Sequence, residues 1–195
     1  MIKCTNLTKD KIEEISGFVA KAFLSEPGCF TVLSIESASK MFYHIIDECY
    51  KAGHLYATSK NLEGVCVYWT KETRPDAIAQ LKIGWHMLRS LTLKELISLG
   101  KDQSNWTETE KRYKREENFV EIFLIAIRPE CQGRGWFRKM ISEPFELSKN
   151  LGCSCVLDTD AEDKVSKYQH VGMKLVDRRK AKDGTEMFAM EYRAR

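Results

Sequence analysis

Asn118-Phe119-Val120-Glu121-Ile122-Phe123-Leu124-Ile125-Ala126-Ile127-Arg128-Pro129-Glu130-Cys131-Gln132-Gly133-Arg134-Gly135-Trp136-Phe137-Arg138-Lys139 is the stretch on which the reading of the chain turns. Its first half is an almost unbroken run of apolar, β-branched and aromatic residues, which predicts a strand buried on both faces. Pro129 ends that strand. Gln132 to Gly135 then form a glycine-containing loop that opens a helix. Glycine lets a backbone approach a ligand closely, and a helix N-terminus offers unpaired N–H groups and the positive end of its dipole. Strand, glycine loop and helix in this order hold a phosphate group in many folds, although the same pattern also makes an ordinary strand-to-helix turn. Neither G-x-x-x-x-G-K-[ST] nor G-x-G-x-x-G is present, so nucleotide hydrolysis and hydride transfer lack their usual markers.

Beyond the loop, Phe137, Met140, Ile141, Phe145, Ser148 and Leu151 predict a helix with one buried stripe, with Pro144 inside it removing a backbone hydrogen bond and bending it. Gly152 closes it. Cys153 to Thr159 then read as a strand parallel to the central one, which makes a βαβ unit around the loop. Asp160 is placed to cap a further helix carrying Val165 and Tyr168 and stopping at Gly172. From Lys174 the chain turns at Asp183-Gly184, a strong hairpin signal, into a last strand from Glu186 to Tyr192.

Ahead of the central stretch, Ile2 to Thr5 suit a short strand. Thr8 caps a helix with Ile12, Ile15, Val19, Ala22 and Phe23 on one face. A second helix is expected from about Glu36 to Lys51, ended by Gly53. Cys29 to Leu33 connect the two, either as loop residues plugging the core edge or as a border of a pocket. His54 to Ser59 and Gly64 to Thr70 read as an antiparallel pair. From Asp76 to about Lys114 the pattern is helical. Ile78, Leu81, Trp85 and Leu88 form one apolar stripe, Thr92 with Glu95 makes a capping box, and Glu110 with Lys114 sits at i,i+4 on another helical stretch. Trp85, His86 and Trp106 either pack in a core or face a ligand. These residues, 76–115, read as an insertion into one domain covering 1–195, because they bring no linker and no core of their own.

Composition narrows the field further. A net charge of +3 over 195 residues is mild. The basic run Lys111-Arg112-Tyr113-Lys114-Arg115 is followed at once by Glu116-Glu117, so no nucleic-acid partner is expected. No signal peptide is recognised and no apolar run is long enough to span a bilayer, so no membrane partner is expected either. Seven cysteines lie scattered without C-x-x-C pairs. This pattern predicts reduced thiols, a cytoplasmic location and no metal.

Gln132-Gly133-Arg134-Gly135 resembles the first four positions of [QR]-x-x-G-x-[GA], the pyrophosphate loop of the GCN5-related N-acetyltransferases. Phe137 departs from it at the sixth position, where the family has Gly or Ala. One βαβ unit later, Tyr168-Gln169-His170-Val171-Gly172-Met173 resembles the Tyr-x-x-x-Gly-Phe segment of the same family. Tyr68-Trp69, the helical insertion, the Arg128-Pro129-Glu130 strand end and Pro144 are similar to its puromycin-acetyltransferase-like branch. The resemblance implies an α/β fold: a mixed, mostly antiparallel sheet with one parallel pair at the acetyl-CoA site and helices on both faces. It also implies transfer of an acetyl group from acetyl-CoA directly to a primary amine, with a small-molecule acceptor and a monomer or homodimer.

Under that resemblance, the backbone from Gln132 to Gly135 would cradle the pyrophosphate, with Trp136 and Phe137 opening the helix and Arg134 or Arg138 adding charge. Ile125, Ala126 and Ile127 would hydrogen-bond the pantetheine arm along the strand edge. Glu121, eleven residues before Gln132, would take the amine proton, its basicity raised by burial; alternatively it is an exposed or ion-paired strand residue. Tyr168 would protonate the departing thiolate, or is a core tyrosine. A non-catalytic acyl-CoA-binding sensor of the same fold is the rival reading.

Overall fold

Short-range chemistry sets the helix ends. Thr8 Oγ1 accepts from Lys11 N at 3.3 Å and starts α1 (Lys9–Leu24). Ser34 caps α2 (Ile35–Lys51), which ends before Gly53 in the left-handed region at φ +76°. The capping box forms as the spacing predicts: Thr92 N donates to Glu95 Oε2 at 2.8 Å and Glu95 N donates back to Thr92 Oγ1 at 3.3 Å. It opens α4 (Leu93–Gly100), which follows α3 (Ala77–Ser90). The structure is a computed structural model that describes residues 1–26, 28–100, 118–180 and 186–193. The expected helical stretch from Asn105, with Trp106, Glu110 and Lys114, and the turn at Asp183-Gly184 lie outside the described residues.

The strands are β1 (Ile2–Lys3), β2 (Leu55–Ala57), β3 (Gly64–Thr70), β4 (Phe119–Ile127), β5 (Ser154–Thr159), β6 (Lys174–Lys180) and β7 (Glu186–Tyr192). They form one sheet in the order β1-β2-β3-β4-β5-β7-β6, antiparallel throughout except for the β4–β5 pair. The mixed, mostly antiparallel sheet is the one expected. Between β4 and β5 run α5 (Trp136–Asn150), with Pro144 inside it, and the connection that makes the pair parallel. After β5 comes α6 (Glu162–His170).

Helices cover both faces. On one, α1 and α2 bury Ile15, Val19, Met41 and Ile46 against Val65, Val67 and Trp69 of β3. On the other, α5 and α6 bury Met140, Ile141 and Tyr168 against Cys66, Tyr68, Val120 and Ile122. β4 carries one irregularity that decides what each face receives. Val67 pairs with Leu124 and Tyr68 with Ile122, which leaves Phe123 as an extra residue. The bulge exchanges the faces: Val120 and Ile122 join the α5–α6 side, whereas Leu124 and Ala126 join the α1–α2 side.

Two expectations change. The stripe Ile78, Leu81, Trp85, Leu88 points outward, with Trp85 60 % exposed; α3 packs inward through Ile83 and Met87 instead. The helix is apolar on two sides, and periodicity alone picks the longer stripe. Asp160 does not cap α6, whose N-cap is Ala161 without a side-chain bond. The Asp160 carboxylate is spent elsewhere, accepting from Cys29 N at 2.7 Å.

Candidate functional site

β4 and β5 are paired only over Phe119–Glu121 and Ser154–Val156. Past Glu121 the two parallel strands part, and a cleft of about 730 Å³ opens between them. Ile125, Ala126 and Ile127 line it from β4 while still pairing with β3 through Cys66, Val65 and Gly64. Their other edge faces the gap that β5 leaves.

Gln132, Gly133, Gly135, Trp136 and Phe137 line the same cleft. Gly133 and Gly135 both hold positive φ, +74° and +78°, and a Cβ built on either meets nothing within 4 Å. Open space therefore lies against the loop backbone. Gly135 is the N-cap of α5 and supplies no side-chain acceptor, and no carboxylate occupies the first turn. The first N–H groups of a 15-residue helix are left for a ligand, at the end where its dipole favours negative charge. Phe137, the departure from the sequence motif, turns its ring toward Tyr168, with centroids 5.6 Å apart, and leaves the loop clear. Arg134 and Arg138 are exposed and stand outside the cleft wall.

Glu121 also lines the cleft. It sits opposite Trp69 in the β3–β4 register, and Trp69 Nε1 donates to its Oε2 at 2.8 Å. Arg74 Nε lies 4.0 Å from the same oxygen, and the side chain is 21 % exposed. Glu121 is thus an ion-pair partner of Arg74 that also faces the cleft. Trp69 and Arg74 were not singled out as Glu121's partners by sequence; the signal was the antiparallel pairing that sets Tyr68-Trp69 beside Glu121.

Tyr168, on α6, is 7 % exposed and lines the same cleft. Among the described residues its hydroxyl has no hydrogen-bond partner. Burial, with smaller contributions from Cys66, Glu26 and Asp160, pushes the hydroxyl pKa well above the ordinary tyrosine value. The group therefore keeps its proton over the working pH range.

The remaining wall is aromatic and apolar. Phe23, Phe30 and Phe42 meet ring to ring at 5.1–5.6 Å, joined by Ile45 and by Ile83 and Met87 of α3. Cys29 and Phe30 place the α1–α2 connection at the cleft border. The carboxylates here are matched by cations: Glu26 with Lys167 at 3.0 Å and Lys164 at 3.4 Å, and Asp158 with Arg179 at 3.0 Å. Among the described residues no group of three or more His, Cys, Asp or Glu gathers as a metal site. No disulfide links any of the seven cysteines, and no helix among the described residues is long and apolar enough to cross a membrane.

No family model and no curated protein matches the sequence. Solved structures do match the fold. Arylalkylamine N-acetyltransferase 2 from Aedes aegypti superposes with a TM-score of 0.63 at 10 % identity over 97 % of either chain. The Drosophila melanogaster polyamine N-acetyltransferase gives 0.60 at 12 % identity, over 96 % of this chain and 97 % of its own. The NatC complex bound to a Gag peptide and CoA gives 0.53 at 12 %, over 99 % and 96 %. The chain is similar to these proteins in fold along nearly its whole length.

Proposed function

We propose that the chain is a single-domain, acetyl-CoA-dependent N-acetyltransferase acting on a small primary amine with an apolar or aromatic body. The observation that carries this is the place where β4 and β5 part. There, a backbone-only anion cradle at Gly133–Gly135, an open strand edge, a carboxylate and a protonated tyrosine all border one cleft. The fold shared with amine acetyltransferases supports it. Its membership of the puromycin-acetyltransferase-like branch rests on the sequence motifs alone.

In this reading the diphosphate of the co-substrate lies on the N–H groups at the start of α5 and the pantetheine arm runs along Ile125–Ile127. The neutral amine nitrogen attacks the thioester carbonyl, forming the C–N bond directly. Glu121, fixed by Trp69, receives the proton that nitrogen loses. When the C–S bond breaks, its electron pair stays on sulfur and Tyr168 supplies the proton, leaving an amide and a free thiol. Solvent returns the proton to Tyr168.

Acceptor class follows from the charges. A polyamine or an agmatine needs an uncommitted carboxylate for its second cation. At this wall none of Glu26, Asp158 and Asp160 is uncommitted: Glu26 pairs with Lys164 and Lys167, Asp158 with Arg179, and Asp160 with Cys29 N and Lys164. Three phenylalanine rings and a methionine suit an aromatic or alkyl body. Initial rates of thiol release should rank arylalkyl and alkyl monoamines well above diamines and polyamines. Equal or reversed ranking overturns the acceptor class. Tight CoA binding without turnover on any amine turns the reading into the acyl-CoA sensor.

A further inference from the structure

α3 is held to the body by one face only. Ile83 and Met87 pack into the α1–α2 core, and His86 stacks on His44 of α2 at 4.2 Å. The opposite face carries Ile78, Leu81, Trp85 and Leu88, which are 54–74 % exposed, and α4 adds Leu93 and Ile97 at 74 % and 55 %. These six are half of the twelve exposed large hydrophobic residues among the described residues, gathered in twenty positions. Such a concentration marks an interaction surface rather than ordinary surface scatter.

The charges beside the stripe name its partner. Lys82 and Arg89 project within about 40° of Ile78 around the helix axis, on the same outward side. Lys94 is exposed on α4. The only carboxylate between Ala77 and Leu99, Glu95, is buried and accepts from Ser34 N, Ser37 Oγ and Thr92. Asp76, exposed at the N-cap of α3, accepts from Ala79 N at 2.8 Å. The α3–α4 segment thus presents an apolar stripe with a central Trp, bordered by three exposed cations, Lys82, Arg89 and Lys94, against one exposed acid, Asp76, at the start of α3. That combination suits a helix lying in the headgroup layer of an anionic bilayer, its rings and aliphatic chains dipping below the phosphates while Lys and Arg reach up to them.

We propose that the outer face of α3, extended by α4, docks the protein on the surface of an anionic lipid bilayer, with the cleft left open on the inward side of α3. The expectation of no membrane partner rested on the lack of a spanning run, a test that a helix lying in the interface does not meet. The docking is independent of whether the cleft catalyses acetyl transfer.

The test is sedimentation of the full-length protein with phosphatidylcholine vesicles, with and without phosphatidylserine, alongside Trp emission. Binding should require phosphatidylserine, shift the emission to the blue, and weaken as salt rises. Each cation near an anionic surface is worth about five-fold. Lys82→Glu/Arg89→Glu/Lys94→Glu should therefore weaken binding by about a hundred-fold or more, and Trp85→Ser should abolish the blue shift. CoA affinity should hold in both variants, showing that the inner face of α3 is intact. Should a variant fail to fold, the salt and lipid dependence of the wild type decides. No binding at low salt, or equal binding to neutral and anionic vesicles, overturns the proposal. So does a self-associated species, seen by ultracentrifugation, that Trp85→Ser dissolves, since the face would then belong to a second copy.

Discussion

Tyr168→Phe separates a catalytic hydroxyl from a packing one. The ring is 7 % exposed and meets Phe137 at 5.6 Å, and both features survive the change. The hydroxyl has no partner among the described residues, so its loss orphans no donor or acceptor and should change stability by about 0.5 kcal/mol or less. If the hydroxyl protonates the leaving thiolate, kcat should fall by about a hundred- to ten-thousand-fold, a barrier rise of about 2.7–5.5 kcal/mol. A thiolate leaves less readily from a dry cleft than from water, which places the effect away from the lower limit. Burial keeps the phenol protonated, so the ratio of wild-type to variant rates should stay flat from neutral to moderately alkaline pH. Thiol release at saturating acetyl-CoA, thermal melting and CoA calorimetry read the three quantities. Undiminished kcat, or a ratio that collapses near neutral pH, would refute the assignment.

Glu121→Gln should lower kcat/KM most at neutral pH, with the loss shrinking as free amine becomes abundant, and CoA affinity should hold. Trp69→Phe removes the 2.8 Å donor to Glu121 and should lower kcat/KM by about ten-fold and displace its pH profile, a change that a purely structural Trp69 would not produce. Gly135→Ala puts a side chain at φ +78°; it should cost about 1–2 kcal/mol of stability and weaken CoA binding, and unchanged CoA affinity by calorimetry would remove the loop from the site. Glu95→Ala orphans the Ser34, Ser37 and Thr92 donors and should cost about 1–3 kcal/mol in denaturant melts. The backbone N–H groups of Ser34 and Thr92 hold the Glu95 pKa down to about 2, against an ordinary 4.5. Its stabilisation is therefore complete above pH 4.5 and lost as pH falls toward 2, so the variant's acid-denaturation curve should be flatter there.

What was legible in the sequence was what local chemistry fixes. Thr8, the Thr92–Glu95 box and Gly53 place helix ends through bonds spanning three or four residues, and the Gly133–Gly135 loop lies where the strand run stops at Pro129. The Phe123 bulge was not legible. An unbroken apolar run fits both faces equally, so no alternation was there to be broken, and the bulge shows only in the pairing with β3. Trp69 as the partner of Glu121 was hidden for the same reason, since 52 residues separate them. Asp160 fits a cap by position, but a backbone N–H from Cys29, 131 residues away, claims its carboxylate first. The outward stripe of α3 was visible as a stripe; only the second apolar face, Ile83 with Met87, shows which side turns in.

The central claim is that the gap between β4 and β5 moves an acetyl group from a thioester straight to an amine. Protein pre-equilibrated with acetyl-CoA labelled in its acetyl group, then mixed with an arylalkyl monoamine in a single turnover, tests this when products and protein are followed together by mass spectrometry. The account predicts that the label appears in the amide at the rate at which free thiol appears, with no labelled protein at any time. Label accumulating on the protein before the amide forms, on Cys131 for instance, or bound acetyl-CoA that stays intact with every amine offered, would contradict it.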